Sequence, residues 1–428
     1  MSTDKSPSSG KANYVLALLV LVYMFNFIDR QILSVLLVPI KEDLGIQDDK
    51  TMGFLTGFVF AAFYTCAGIP IARWADSGSR KLIISVSLTI WSAMTAVSGL
   101  CNNFVQLALA RVGVGIGEAG GTPPAHSLIS DYFPPNKRAG ALAIYAMGAY
   151  FGILIGYPLA GYLNAEYGWR MAFVIVGLPG IPLALLVWLT IPEPARGQSE
   201  TKTSDSANHT ISEVIAYLWK LKSFRHLSFA GALYAFAGYG FITWIPAFLI
   251  RVHHMGTAEI GLWLGPIIGG GGAFGAWLSG QLCNRYGAKD PAWNMRIAAI
   301  GGLTMIPFVC LFLFWPYERA YLVYLPGIIL GSFYVAPTFA MAQGLAKLRM
   351  RALASAVVLF ITNLIGLGLG PFIVGWLNDE LQPQFGDEAV RYSLLIVGLC
   401  NIWAVAHSLI AAKTIKADLE FTASSGES

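Results

Sequence analysis

Apolar residues gather along this chain into runs far longer than a globular helix or strand needs, separated by short polar breaks. About 20 apolar residues cross a bilayer as a helix. Twelve such runs can be marked, at residues 14–38, 52–72, 82–100, 104–126, 139–163, 171–191, 226–250, 257–281, 295–316, 320–345, 352–377 and 390–412. The pattern predicts an all-α membrane protein of twelve transmembrane helices. One wider break divides it into an N-terminal tail (1–13), a six-helix bundle (14–191), a linker (192–223), a second six-helix bundle (224–413) and a C-terminal tail (414–428).

The halves repeat. GILIGYPLAGYLN at 152–164 aligns with GLGLGPFIVGWLN at 366–378, pairing Gly152 with Gly366, Gly156 with Gly370, Gly161 with Gly375, Leu163 with Leu377 and Asn164 with Asn378 at an offset of 214. Gly113, Gly117 and Pro123 keep that offset against Gly327, Gly331 and Pro337. A register shared across two helices points to duplication, and so to two pseudo-symmetric bundles. Within the linker, SETKTSDSANHT is polar and reads as mobile. Ile211, Val214, Ile215 and Leu218 then recur at helical spacing before Lys220, Lys222 and Arg225. This suits an interfacial helix whose basic residues meet anionic lipid headgroups. A solvated linker helix has the same pattern.

Composition agrees: 56% of residues are hydrophobic and 12% charged, against about 25% charged in soluble domains. The first 13 residues are polar and have no short apolar core before a cleavage site, unlike a signal peptide. An even number of spans puts both termini on one side. That side collects twenty of the 28 Lys and Arg, the other side six, and Arg30 and Arg111 fall inside the runs. The positive-inside bias makes both termini cytoplasmic, in a plasma or bacterial inner membrane. The net charge of +4 then reflects topology and implies no nucleic-acid partner. Cys66, Cys101, Cys283, Cys310 and Cys400 have no metal-ligand spacing and read as small core residues. His126, His253, His254 and His407 read as packed or solvated, so neither metal nor cofactor is expected. The sequon Asn208-His209-Thr210 falls in the cytoplasmic linker, where it would go unused. No His-Glu-x-x-His, Gly-x-Ser-x-Gly or Walker motif supports an enzyme or an ATP-driven pump.

Four charges remain to be explained: Asp29 and Arg30 in the first run, Arg111 and Glu118 in the fourth. Each costs about 2.5 kcal/mol or more at bilayer depth, so they are expected to face an interior path. Tyr23, Asn26, Arg30 and Ser34 follow one helical stripe, and Asp29 lies about 100° to one side of Arg30. Arg111 and Glu118 are seven apart and share a face. Counting from the helix ends places Arg30 and Arg111 at comparable depths in the outer half, with Glu118 nearer the midplane. A guanidinium holds a carboxylate or phosphate through two parallel hydrogen bonds, which assigns Arg30 and Arg111 to a substrate anion, with Asn26 and Tyr23 beside them. Asp29 and Glu118 are candidate proton carriers. Burial would raise their pKa and arginine would lower it, which leaves the direction open. The four charges could also simply neutralise one another and brace the bundle.

Gly115, Gly117, Gly120 and Gly121 around Glu118 let another helix or a ligand come close. No comparable charge is expected inside the C-terminal bundle, which offers Tyr234, Tyr239, Phe241, Tyr334, Thr338, Thr362 and Asn363. These suit the apolar side of an amphiphile's cavity, or ordinary packing.

ARWADSGSRK (72–81) and GQLCNRYGAK (280–289) resemble the signature loop of the major facilitator superfamily, Gly-x-x-x-Asp-Arg-x-Gly-Arg-Arg/Lys, each incompletely. Asp76, Arg80 and Lys81 survive in the first, and Gly280, Arg285, Gly287 and Lys289 in the second. Arg111-x-x-x-Gly115 also looks like the superfamily's fourth-helix motif. Within that superfamily, NFIDR (26–30), GEAGGTPPAHSLISDYFPPNKRA (117–139), GWR (168–170) and EPARG (193–197) resemble the Spinster lipid transporters.

The resemblance implies two bundles around a central cavity and a lysolipid or sphingosine-phosphate substrate moved by alternating access. It also implies a cytoplasmic gate in which Asp76, Arg80, Lys81 and Arg285 act, with Arg351 at the start of the eleventh helix attracting Asp76. Proton-coupled organic-anion symporters carry similar charges in the first and fourth helices, so a symporter of a small organic anion such as a sugar acid is the alternative. The partners expected are the substrate, protons and membrane lipid, for a monomer. A transporter-like receptor would show the same sequence pattern, and uptake into proteoliposomes separates the two.

Overall fold

A computed structural model describes residues 9–196, 211–347 and 350–424. The polar part of the linker, with its sequon, lies outside the described residues. All regular structure among the described residues is helical. Eight stretches are long and apolar enough to cross a membrane, and two of these, Pro135–Thr190 and Leu353–Ser424, run to 56 and 72 residues. A single pass needs about 20. Each of the two is divided at a glycine of positive φ, Gly168 (76°) and Gly386 (54°), a conformation that a Cβ disfavours. Two further helical stretches, 104–132, broken at 119–121, and the continuous 257–287, complete the twelve predicted passes.

We label the passes α1 (Ser9–Asp43), α2 (Asp49–Ser77), α3 (Arg80–Ser98), α4 (Phe104–Glu118 continued by Thr122–Tyr132), α5 (135–167) and α6 (169–190). The second six are α7 (Lys222–His253), α8 (257–287), α9 (Ala292–Phe314), α10 (Arg319–Gly344), α11 (351–385) and α12 (389–424). Each overlaps one predicted run. The linker helix, Ile211–Lys220, forms where the spacing predicts it. Val214 and Leu218 are buried against Phe224, Leu227 and Ile415, whereas Ile215 and Trp219 remain exposed.

The chain forms two compact units. Unit 1 holds residues 9–47, 59–196 and 256–265; unit 2 holds 48–58, 211–255, 266–347 and 350–424. The boundaries differ from the predicted bundles because the first turns of α2 pack within unit 2 and those of α8 within unit 1. The repeat explains both. In unit 1, Asn164 Nδ2 donates to Thr257 Oγ1 at 3.0 Å, and that hydroxyl donates to the Gly161 carbonyl at 3.2 Å. In unit 2, Asn378 Nδ2 donates to the Asp49 carboxylate at 2.9 Å, and Asp379 accepts the backbone N–H groups of Asp49 and Lys50, each at 2.8 Å.

Gly161 and Gly375 stand at equivalent places, and an added Cβ would meet the carbonyl oxygen of Thr257 or of Asp49. Overpacking costs about 1–3 kcal/mol. Gly161→Ala and Gly375→Ala are each expected to lower the melting temperature of the purified protein. Wild-type melting in both would contradict this packing.

Glycines also set the seat of α1. Gly148, Gly152 and Gly156, four apart on α5, face the α1 backbone; a Cβ at Gly148 would stand 2.8 Å from the Val20 carbonyl oxygen and one at Gly152 2.6 Å from that of Met24. Small residues at this spacing let helices approach closely in lipid. The equivalents Gly366 and Gly370 on α11 receive Ala235 and Phe236 of α7. α4 breaks straight after Glu118, where Gly120 and Gly121 bond back to the carbonyls of Gly117 and Glu118 in tight turns. The 3₁₀ turn Ser332–Tyr334 interrupts α10 at the same 214-residue offset.

Candidate transport site

Unit 1 gathers the four membrane charges. α1, seated on the glycine face of α5, turns Asp29 and Arg30 toward α4, and Arg30 Nε donates to Glu118 Oε2 at 2.5 Å. Depth counting along separate helices set Arg30 level with Arg111. The contact of α1 with α5 also brings Arg30 to Glu118. Asp29, Arg111 and Glu118 are buried, while the Arg30 side chain keeps 14% of its surface exposed. Its guanidinium lies 5.2 Å from the Phe27 ring centre and 4.9 Å from those of Phe60 and Tyr64. Arg111 shares the Phe60 ring at 5.5 Å. Cations over aromatic faces gain electrostatic attraction, more so when desolvated.

The pairing is incomplete. Both carboxylate oxygens of Asp29, Glu118 Oε1, Arg111 Nε and Nη1, Trp91 Nε1 and Thr95 Oγ1 are buried without a formed hydrogen bond. Trp91 and Thr95 of α3 are the polar neighbours of Asp29, and Arg111 and Glu118 act on it electrostatically. Asn26 lies beside Glu118. Buried polar groups are normally satisfied, and here the exceptions share one place.

The glycines around Glu118 receive α3: a Cβ on Gly117 would lie 2.7 Å from the Trp91 backbone nitrogen. That approach brings Trp91 and Thr95 to the cluster, and a search for charges alone overlooks both. On α5, Tyr145 stacks on Tyr23 at 4.6 Å and meets His126 edge-on at 5.4 Å. With Phe60 and Tyr64 it adds aromatic surface whose only sequence signal is residue type within an apolar run.

In unit 2, α7, α10 and α11 converge, with Gly231 facing Thr338 and Thr362. Tyr239 and Tyr334 are partly exposed, whereas Phe241, Thr338 and Asn363 are buried. Phe241 packs beside Gly398 of α12, and Thr338 Oγ1 donates to the Tyr334 carbonyl at 2.6 Å. Asn363 stands on a π-helical stretch, Thr362–Leu369. Unit 2 also holds an ion pair between the buried Asp49, at the start of α2, and the partly exposed Arg251, at the end of α7. Both residues read as loop charges because α2 and α7 extend beyond their apolar runs.

The signature loop divides. Asp76, Arg285 and Arg351 are exposed, and Lys81 is partly so. Arg80 differs from these in being buried. Ser79 caps α3, which turns Arg80 inward. There it pairs with Asp131 at the end of α4 and, at 2.7 Å, with Glu193 after α6. It also donates to Ser127 Oγ at 3.0 Å and to the Pro194 carbonyl at 2.8 Å. Neither acidic partner was legible from the loop motif, since both lie far along the chain.

A sequence profile of the Major Facilitator Superfamily matches residues 19–371. An MFS-type efflux pump of Mycolicibacterium smegmatis is 33% identical over 96% of this chain and 96% of its own length. A probable L-galactonate transporter of Escherichia coli is 25% identical over 89% of this chain and 85% of its own. Among solved structures, a bacterial homologue of the human lysosomal transporter Spinster, inward-facing and unoccupied, superposes with a TM-score of 0.85 at 32% identity, covering 96% of this chain and 99% of that one. Profile, full-length relatives and fold agree with the twelve helices and the duplicated register: this chain is a membrane transporter of the Major Facilitator Superfamily, similar to its Spinster branch.

Proposed function

We propose that this transporter works by alternating access and couples protons to the movement of an amphiphilic anion of the lysolipid or sphingosine-phosphate kind. The observation that carries the reading is Arg30: of the four clustered charges, it alone has a partly exposed side chain, and it is set among Phe27, Phe60 and Tyr64. A guanidinium there suits an anionic head, and the rings suit apolar substance next to it. Substrate and Glu118 compete for the same guanidinium. When an anion takes Arg30, Glu118 loses its partner in a dry site, where an unpaired carboxylate takes up a proton rather than stay charged. Anion and proton binding therefore assist each other, which favours symport. Asp29 beside Arg111 is the second candidate carrier. Tyr23, Asn26 and Arg111 support the site within unit 1. Within unit 2, Tyr239, Tyr334, Thr338, Asn363 and Phe241 are the substrate-binding candidates. Asp76, Arg80, Lys81, Arg285 and Arg351 serve the gate. The protein acts as a monomer with both termini cytoplasmic.

A second reading, a proton-coupled symporter of a sugar acid, is favoured by the similarity to the probable L-galactonate transporter. Thermal unfolding of the purified protein with lysophosphatidate, sphingosine phosphate, galactonate and glucarate separates the two, because a ligand stabilises the state it binds. Stabilisation by the phospholipid-like anions alone is expected. Stabilisation by the sugar acids alone would install the second reading.

A further inference from the structure

Away from the charged cluster, unit 2 carries a polar pair where a membrane protein should be apolar. His226 of α7 and His407 of α12 are joined Nδ1 to Nδ1 at 2.8 Å. It is the one hydrogen bond either ring makes among the described residues. Both rings are partly exposed, in a ladder of aromatic groups: Phe229 lies 5.7 Å from His407, Trp403 lies 6.0 Å from it, and Trp219 of the linker helix lies 6.1 Å from Phe229. Trp219, Phe229 and Trp403 are all exposed. Polar groups inside a membrane protein normally turn inward. This pair is partly exposed.

Two cations complete the face. Lys222 and His226 are one helical turn apart on α7 and share its surface, with Arg225 adjoining. Lys222 and Arg225 are exposed and make no ion pair among the described residues. Asp418, the acidic group near the start of α7, is taken up by the backbone N–H and hydroxyl of Ser223 at 2.7 and 2.6 Å. Along α7 the order is therefore cations, then the histidine pair, then Phe229, with Trp403 beside His407 on α12. A phospholipid presents the complementary order from head to tail.

We infer that this face binds the phosphate of an anionic membrane phospholipid, held by Lys222, Arg225 and the histidine pair, with its acyl chains along Phe229 and Trp403. Charge complementarity selects an anionic lipid over a zwitterionic one, and the exposed rings select a lipid over a soluble anion. The linker helix packs against the same helices through Val214 and Leu218, so a bound lipid would anchor the connection between the two halves of the chain.

Native mass spectrometry of the full-length protein, released from nanodiscs of phosphatidylglycerol and phosphatidylcholine in equal amounts, tests this. The wild type should retain phosphatidylglycerol preferentially. Lys222→Gln with Arg225→Gln should weaken that retention by about 25-fold, about fivefold for each cation, with phosphatidylcholine unaffected. Excess inorganic phosphate should not displace the lipid. Equal retention of the two lipids by the wild type, or wild-type retention by the double variant, would overturn the site. Displacement by inorganic phosphate would overturn its assignment to a lipid. Should the double variant fail to fold, His407→Gln measured the same way decides: reduced retention supports the site and unchanged retention refutes it.

Discussion

Arg30→Ala is expected to abolish uptake in proteoliposomes while the protein still inserts and folds. A guanidinium that grips an anion contributes two charge-assisted hydrogen bonds of about 1.5–3 kcal/mol each, so its loss lowers affinity by about 100-fold or more. Folding survives because Glu118, the partner left behind, can take a proton and become neutral in its dry site. Arg30→Lys keeps the charge but not the fork, and should keep only part of the activity. Transport by Arg30→Ala at the wild-type rate would remove Arg30 from the substrate path and leave the cluster as a brace.

Arg80→Ala should have the largest effect on stability. Its side chain is 1% exposed and carries ion pairs to Asp131 and Glu193, and removing one member of a buried pair costs about 3–5 kcal/mol. Partial burial pushes the Glu193 carboxyl up, but hydrogen bonds from Arg80, the Lys81 backbone and Ser79 outweigh it and hold the group below its ordinary value. A carboxylate held low contributes stability above its ordinary pKa, and that stability is lost as pH falls through the lowered value. The variant should therefore melt well below the wild type near neutral pH, and the difference should narrow as the medium is acidified toward that value. Equal melting near neutral pH would show that the clamp at the ends of α3, α4 and α6 is not what holds them.

Most of the fold was legible because lipid leaves few choices: a long apolar run must be a helix, and the shared register of Gly152 with Gly366 and Gly161 with Gly375 exposes the duplication. The charged residues of the site were legible for the same reason, since Asp29, Arg30, Arg111 and Glu118 stand out against apolar neighbours. Their pairing was not. Arg30 reaches Glu118 because three glycines on α5 set the height of α1, a tertiary contact that spacing within one helix does not contain. Arg80 was read with its loop, because its partners Asp131 and Glu193 are 51 and 113 residues away. Trp91 and Thr95 carry no charge, and only the close approach of α3 at Gly117 reveals them.

If the buried carboxylates of unit 1 couple protons to transport, as proposed, uptake driven by a pH gradient depends on them. Wild-type protein in proteoliposomes should accumulate the ligand that stabilises it when a gradient is imposed. Glu118→Gln should lose that accumulation and keep exchange of substrate for substrate, which needs helix movement but no change of protonation. Asp29→Asn should behave the same way only if Asp29 is the carrier, so the two single variants identify the titrating group. Gradient-driven accumulation that persists in both single variants and in the double variant would rule out proton coupling through this cluster.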